Sequence, residues 1–516
     1  MWRRTPLLFN IRGSPLGSPS MSSERRRLLL GTSWTLASTL VALVAGTVLN
    51  PVLVLYVGIT GFGIWASTIA FASLFGLAGD LGVAAALTKI VAEQRGMRRG
   101  VDSLGTSALA IAFAAGGALG FALFVASFFM AGYVKAADFP TLLRLQALQM
   151  PFNLGSASLL ALLQGERRFR ALSVFTMLQS LGSVALVAAE LQTGGGIVGA
   201  MTASVTAAAI GFVALLLSQR NELPLEKMSA LRADFRRLVP FGIQLTATNA
   251  LSTVLYQADI VLLAALTGSA SILGIYALAV FSTRILWIIP GSISMTTYPV
   301  VSEYAAAGEP GRMDRYISAA ILASLTVVGS LASAFLLFGR PLLRLFFGGD
   351  SVGAYELAIP MLLGTAVLGT LRSIAPALSS VGRPDVGLVI SSFGAGVLIV
   401  SGYVLTTAYA GAGTAYAVSI AFLGVSIALL AAIQRYVIRP VGGRLGSRRL
   451  GVTAASASVL SIGAGLFALP ADPPLSSVVW ATAFWTGLVI VLIVASGGRK
   501  TWGRIFRRAG PMPERV

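Results

Sequence analysis

Residues 270–300 read ASILGIYALAVFSTRILWIIPGSISMTTYPV. These thirty-one residues carry one charge, Arg284. A run of about 18 or more apolar residues is long enough to cross a bilayer as a helix. Such runs recur along the whole chain, which has 516 residues, 56% hydrophobic and only 11% charged. A soluble protein carries about 25% charged residues. Mean hydropathy is +0.84. The chain therefore reads as an all-α polytopic membrane protein. It has no cysteine and no histidine. That excludes a disulfide framework, thiol catalysis, the Ser-His-Asp triad and the common nitrogen and sulfur metal ligands. No catalytic residue, metal site or cofactor is expected.

Working outward from that stretch, fourteen apolar spans can be marked. They lie at 29–55, 63–88, 103–132, 140–163, 171–191, 196–218, 238–266, 270–300, 315–338, 354–381, 385–408, 411–434, 451–469 and 475–496. Net charge is +19. In a soluble protein that would suggest nucleic acid. Here the basic residues fall in every second connection, so no nucleic-acid partner is expected. Of 38 Lys and Arg, thirty-two lie on the side of the termini. Three (Lys135, Arg340 and Arg344) lie on the other side, and three (Arg144, Arg284 and Arg372) fall within spans. Cytoplasmic loops are enriched in Lys and Arg, so both termini are predicted to be cytoplasmic.

The predicted organisation is a basic leader (1–28), six spans (29–218), a cytoplasmic linker (219–237) and six more spans (238–434). A basic loop (435–450), a further pair of spans (451–496) and a basic tail (497–516) follow. Met21 is a second candidate start. No secretory signal peptide is expected, because the first apolar segment is too long and has no evident small-residue cleavage site. The connections are too short to hold a soluble catalytic domain.

The chain also resembles itself. GFGIWASTIAF (61–71) aligns with ILGIYALAVFS (272–282), and IVAEQRG (90–96) with VVSEYAAAG (300–308). Spans 1–6 and 7–12 then form two copies. Six crossings return the chain to the same side, so the copies are parallel, related by an axis along the membrane normal.

Four stretches resemble the polysaccharide flippases of the multidrug/oligosaccharidyl-lipid/polysaccharide exporter superfamily. YVGITGFGIWASTIAFASLFGLAGDLGVAAALTKIVAE (56–93) is similar to that family's first hairpin, with Gly58, Gly63 and the Asp80-Leu81-Gly82 turn. YQADIVLLAALTGSASILGIYALA (256–279) is similar to the start of its second half, with Asp259, Gly274 and Tyr276. YPVVSEYAAAGE (298–309) and SVGRPDV (380–386) resemble its exit from span 8 and its link from span 10 to span 11. The likeness covers spans 1–12, and the last two spans resemble the pair appended in many such flippases. It implies a V-shaped, two-lobed bundle in a prokaryotic plasma membrane. It further implies movement of an undecaprenyl-diphosphate-linked oligosaccharide to the outer leaflet, for surface polysaccharides such as O-antigen of lipopolysaccharide. Membrane lipids and other polysaccharide assembly proteins would be partners.

The residues suggest how such a cargo is met. Arg284 lies 14 residues into its span, roughly 21 Å at about 1.5 Å per residue, near the midplane. Placing Arg there costs roughly 2.5–3.5 kcal/mol, so it should face protein or water. Its guanidinium fork matches phosphate oxygens. On a regular helix Tyr276, Thr283, Trp287 and Tyr298 share one face, with Arg284 at its shoulder, a surface suited to sugar rings. Span 7 places Gln244, Thr248, Ser252, Tyr256 and Asp259 together, and span 10 places Thr365, Gly369, Arg372, Pro376 and Ser379 together. Span 1 gathers Thr32, Thr35, Thr39, Gly46 and Asn50, and span 4 gathers Gln146, Gln149, Asn153 and Ser156. Such stripes line a cavity or join helices.

The substrate-facing candidates are Arg284, Arg372, Tyr256, Trp287, Tyr276 and Gln244. The competing role for Arg284 is structural, bonded to backbone carbonyls or to Asp259. Asp259 reads first as its counter-ion and second as a coupling site for H⁺ or Na⁺. Asp80 reads as structural at a helix bend, with coupling as its other role. Arg144 should snorkel to headgroups, and Glu190 should be solvated. The clusters Arg95-Arg98-Arg99 and Arg444-Arg448-Arg449 suit topology or anionic lipid.

Three functions compete. The first is the lipid-linked oligosaccharide flippase. The second is a cation-coupled multidrug exporter of the same superfamily, which would favour twelve spans and an acidic cavity. The third is a membrane-embedded glycan polymerase or glycosyltransferase, which would need a large outer loop.

Overall fold

The structure is a computed structural model and describes residues 21–76, 82–96, 104–130, 132–223, 231–439 and 448–495. All regular structure among them is helical. Helix α1 (Met21–Gly76) carries the first span and most of the second. Its backbone leaves the helix at Gly58, with φ 71° and ψ 176°. Only a residue without Cβ adopts that φ readily, so the second span begins there, a few residues before the expected position. It continues as α2 (Val83–Gly96). Spans 3–6 are α3 (Leu104–Phe129), α4 (Phe139–Gly165), α5 (Phe169–Gln192) and α6 (Gly196–Gln219). Span 7 is α7 (Leu231–Thr267).

Span 8 comes in three pieces: α8 (Ala270–Arg284), a 3-10 turn (Ile285–Trp287) and α9 (Ile288–Ala306). Then come α10 (Pro310–Phe347), α11 (Gly353–Arg372) and the short α12 (Pro376–Ser380). Pro376 has no N–H to continue α11, which explains the break before it. Helix α13 (Pro384–Ile433) carries spans 11 and 12 and turns at Ala410, with φ 50° and ψ −129°. The last pair is α14 (Arg448–Leu466) and α15 (Leu475–Ala495). Among the described residues ten helices are long and apolar enough to cross a membrane. Two of the ten are the joined pairs in α1 and α13, while α4 and α14 fall outside the ten. The count of fourteen therefore rests on the sequence pattern.

Lipid tails are as apolar as leucine, so helices in a bilayer are held by close packing of small residues and by hydrogen bonds rather than by hydrophobic burial. Both devices occur here. Helix α3 packs on α4, and α5 on α1 and α6. In the second half α7 and α11 pack on α13, and α8 on α11. The appended pair lies against α10, where Leu469 N donates to Leu337 O at 2.9 Å and Trp485 Nε1 to Ser330 O at 3.0 Å. Arg344 pairs with Asp472 in the loop between α14 and α15.

The halves meet at both ends. At the end bearing Gly268, the second part of α1 crosses α8. A Cβ on Gly63 would lie 2.1 Å from Ala270 O, and one on Gly274 would lie 2.0 Å from Ile59 O. The contact is reciprocal: each glycine abuts the carbonyl four residues before the other. These are the two glycines that the internal repeat aligns. Lys135 N also donates to Gly268 O at 2.8 Å, and the Tyr133 hydroxyl donates to Val261 O. One apolar core spans both halves here, including Trp65, Leu143, Ala264, Tyr276 and Met361.

At the opposite end Gly82 packs on Gly242, with a Cβ position 2.0 Å from Gly242 O. Ser107 Oγ donates to Asp234 Oδ2 at 2.6 Å, and both side chains are buried. Leu238 and Val239, from the start of α7, belong to the same core as Val83, Leu87, Leu104 and Leu223. Farther along α7, Leu255 belongs to the core of the second half. Helix α7 therefore ties the two halves together.

Candidate functional site

Two of the three arginines within spans, Arg284 and Arg372, lie in the second half together with Asp259. Helix α7 supplies Tyr256 and Asp259, the α8 end and its 3-10 turn supply Arg284 and Trp287, and α11 supplies Thr365, Gly369 and Arg372. Helix α13 supplies Phe422. Arg284 Nη2 donates to Tyr256 O at 2.5 Å and lies 3.6 Å from Asp259 Oδ2. The Tyr276 hydroxyl donates to the same carboxylate oxygen at 3.0 Å. Asp259 Oδ1 has no hydrogen-bond partner. The Asp259 side chain is 1% exposed and that of Arg284 is 24% exposed. A carboxylate this buried needs a countercharge, and Arg284 provides it. The guanidinium still keeps part of its surface open.

Arg372 is placed differently. Its Cζ lies 4.6 Å from the Trp287 ring centre and 5.1 Å from that of Tyr256. Among the described residues it has no ion-pair partner. Tyr256, Trp287 and Phe422 form one aromatic cluster, with ring centres 5.3 to 6.1 Å apart. Arg284 Cζ lies 5.9 Å from the Trp287 ring centre as well. Two cations thus flank one indole, and one of them is matched by an acid. Such contacts contribute about 0.5–2 kcal/mol, the larger value when desolvated.

Several sequence expectations change. Tyr276 has no exposed surface and holds Asp259, so it does not line open space. The single face of span 8 is not found. Thr283 is buried with Tyr276, while Tyr298 is 53% exposed. The cause is the 3-10 turn at Ile285–Trp287, which interrupts the regular helix assumed for that face. In the span 7 stripe Ser252 meets Ser391 of α13 at 3.4 Å, and in the span 4 stripe Gln149 meets Ser204 of α6 at 3.4 Å. Those positions join helices. Arg144 is not a free snorkelling side chain: its Nε donates to Ser127 Oγ at 3.2 Å, and it covers the Phe128 ring at 4.5 Å. Glu190 is half-buried, its carboxylate against Gly195 and Gly199.

Asp80, Arg98, Arg99 and Arg444 lie outside the described residues, as do the side chains of Gln244, Thr248, Arg95, Arg448 and Arg449. Phe422 was not legible in the sequence, because nothing separates it from the other apolar residues of its span. Ser107 and Asp234 were missed because their contact joins positions 127 residues apart. Among the described residues no group of three His, Cys, Asp or Glu side chains could hold a metal ion.

Matches to family models place this helical membrane fold among the transporters and flippases of the multidrug/oligosaccharidyl-lipid/polysaccharide exporter superfamily. Known structures share the fold. The fold is similar to the lipid II flippase MurJ in an inward closed conformation, with a TM-score of 0.67, 14% identity, and 93% of this chain and 100% of that chain covered. It is also similar to an inward-facing multidrug resistance MATE family transporter, with a TM-score of 0.63, 14% identity, and 77% and 94% covered. The MATE multidrug transporter DinF-BH matches at a TM-score of 0.57 and 16% identity, with 84% and 100% covered. No curated protein matches the chain. The family model described as "Polysaccharide biosynthesis protein" matches residues 28–305, and the MatE model matches residues 245–404. The chain belongs to the polysaccharide biosynthesis protein family.

Proposed function

We propose that the protein is a flippase for polyprenyl-diphosphate-linked oligosaccharide, moving it from the cytoplasmic to the outer leaflet with both termini cytoplasmic. One observation carries the reading: Arg284 and Arg372 are gathered around a single aromatic cluster within the membrane-spanning part. The lipid tail of such a cargo can stay in the bilayer, while its diphosphate needs cations on a polar path. A guanidinium offers a planar pair of donors that a phosphate accepts. The family match and the likeness to a lipid II flippase support the same reading.

A multidrug exporter is the second reading, favoured by the MatE match over residues 245–404. Charge argues against a cationic drug. The described charged groups of the cluster are two arginines and one aspartate, so a cationic cargo would meet a net positive wall. The test is a deletion strain complemented with the wild-type protein, Arg284→Ala or Arg372→Ala at matched membrane levels. Surface glycan should vanish on deletion, return with the wild type, and stay low with either variant while lipid-linked oligosaccharide accumulates. Unchanged surface glycan together with a gain in sensitivity to organic cations would replace the flippase by the exporter.

A further inference from the structure

The sequence suggests that Trp287 is a platform for sugar rings. Its surroundings say otherwise. Nε1 donates to Thr365 O at 2.8 Å, so its polar atom is already used. The ring edge lies against Gly369, where a Cβ would come within 2.5 Å of Trp287 Cδ1. Tyr256 and Phe422 pack on the ring, and Arg372 covers it. Thr365, Gly369 and Arg372 stand at i, i+4 and i+7 on α11, which places them in one row on a helix face. The indole sits along that row with its N–H at one end and Arg372 at the other.

The two arginines also differ in what an arriving anion would have to break. Arg284 is matched by Asp259 and bonded to Tyr256 O. Taking it up would leave a buried carboxylate without its countercharge. Arg372 has an aromatic ring beneath it and no acid beside it among the described residues. It can accept an anion without giving up an ion pair.

We propose that Arg372 is the group that meets the phosphate of the cargo, and that Trp287 is a positioning residue that holds it. Trp287 fixes the long Arg372 side chain above its ring, so less side-chain freedom is lost when the anion binds. The 3-10 turn aims the indole at α11, and Gly369 makes room for it. This inference rests on the flippase reading above and gives the anion-binding role within it to Arg372 rather than Arg284.

The test uses the purified full chain in detergent and farnesyl diphosphate as the probe, with affinity measured by calorimetry. Arg372→Ala should weaken binding by about 10-fold to 100-fold, the loss of a charge-assisted hydrogen bond. Trp287→Phe, which keeps a ring but loses the N–H, should weaken it by roughly fivefold in proportion to partial loss of one such bond. In the Arg372→Ala background Trp287→Phe should have no further effect, because residues acting through one another are not additive. Gly369→Ala serves the same cycle if Trp287→Phe is poorly folded. Inorganic pyrophosphate should compete with the probe, and farnesol should not. Equal losses from Trp287→Phe in both backgrounds, or no loss in either, would overturn the positioning role. A wild-type chain that binds no prenyl diphosphate overturns the flippase reading itself, and that outcome is visible before any variant is made.

Discussion

Removing Arg284 should do more harm than removing Arg284 and the charge of Asp259 together. The two groups lie 3.6 Å apart, with Asp259 1% exposed. At an effective dielectric of about 20, their attraction is about 4–5 kcal/mol. Breaking such a pair from one side costs about 3–5 kcal/mol, because a buried charge is left unmatched. The 24% exposure of Arg284 puts the expected loss for Arg284→Ala near the low end of that range. Asp259→Asn removes the charge and keeps an acceptor for the Tyr276 hydroxyl. The double variant should therefore regain about 2 kcal/mol over Arg284→Ala. Reversible unfolding in mixed micelles, titrated with dodecyl sulfate, gives the four stabilities of the cycle. A coupling below about 0.5 kcal/mol, the limit for independent sites, would refute the ion pair as a source of stability. The same four variants can be scored for surface glycan. Export restored in the double variant would leave Arg284 as half of a structural pair, with the anion-binding role elsewhere. Export still absent would keep Arg284 on the path of the cargo.

Three further outcomes are expected. Gly63→Ala and Gly274→Ala should each lower export and raise labelling of a cysteine at the partly exposed Tyr256 by a reagent added outside, because a Cβ there meets backbone at about 2 Å; unchanged export and labelling would show that the two helices separate without cost. Cysteines at Ser107 and Asp234, which are hydrogen-bonded at 2.6 Å, should stop export when joined by a short bis-maleimide, whereas joining Gln149 and Ser204 within the first half should not; export through a fully joined 107–234 pair would show that this end need not open. A cysteine at Gly349 should react with an impermeant reagent in intact cells and one at Gly311 should not, a Cβ at Gly349 meeting nothing and one at Gly311 only the end of the Arg315 side chain at 4.0 Å; the reverse pattern would invert the membrane orientation.

The helical membrane fold was legible because apolar runs report directly on burial in lipid. Gly63 and Gly274, which the sequence aligns, are where α1 and α8 approach backbone to backbone, an approach that admits no other residue. The breaks inside spans were harder. Gly58, Pro376 and Pro290 carry local reasons to leave the helix, Pro290 having no N–H for Leu286 O inside the Ile285–Trp287 turn, but the sequence alone does not separate them from Pro51 and Pro299, which lie inside helices. The site was partly legible. Arg284, Arg372, Tyr256 and Trp287 could be named because a charge or a polar aromatic stands out in an apolar span. Their partnership could not be read, since it depends on which helices touch. Tyr276 looked like Tyr256 in the sequence, and only burial separates the residue that holds Asp259 from the half-buried one that packs on Trp287 and Arg372.

The reciprocal approach of Gly63 and Gly274 has an evolutionary consequence. The surface is self-complementary, as in a two-fold dimer where one patch meets its own copy. Each glycine faces backbone atoms of the other segment, so a larger residue on one side cannot be offset by a smaller one on the other: glycine is already the smallest, and the obstructing carbonyl is common to every residue. Compensating pairs of substitutions, the usual route by which packed interfaces drift, are closed to this position.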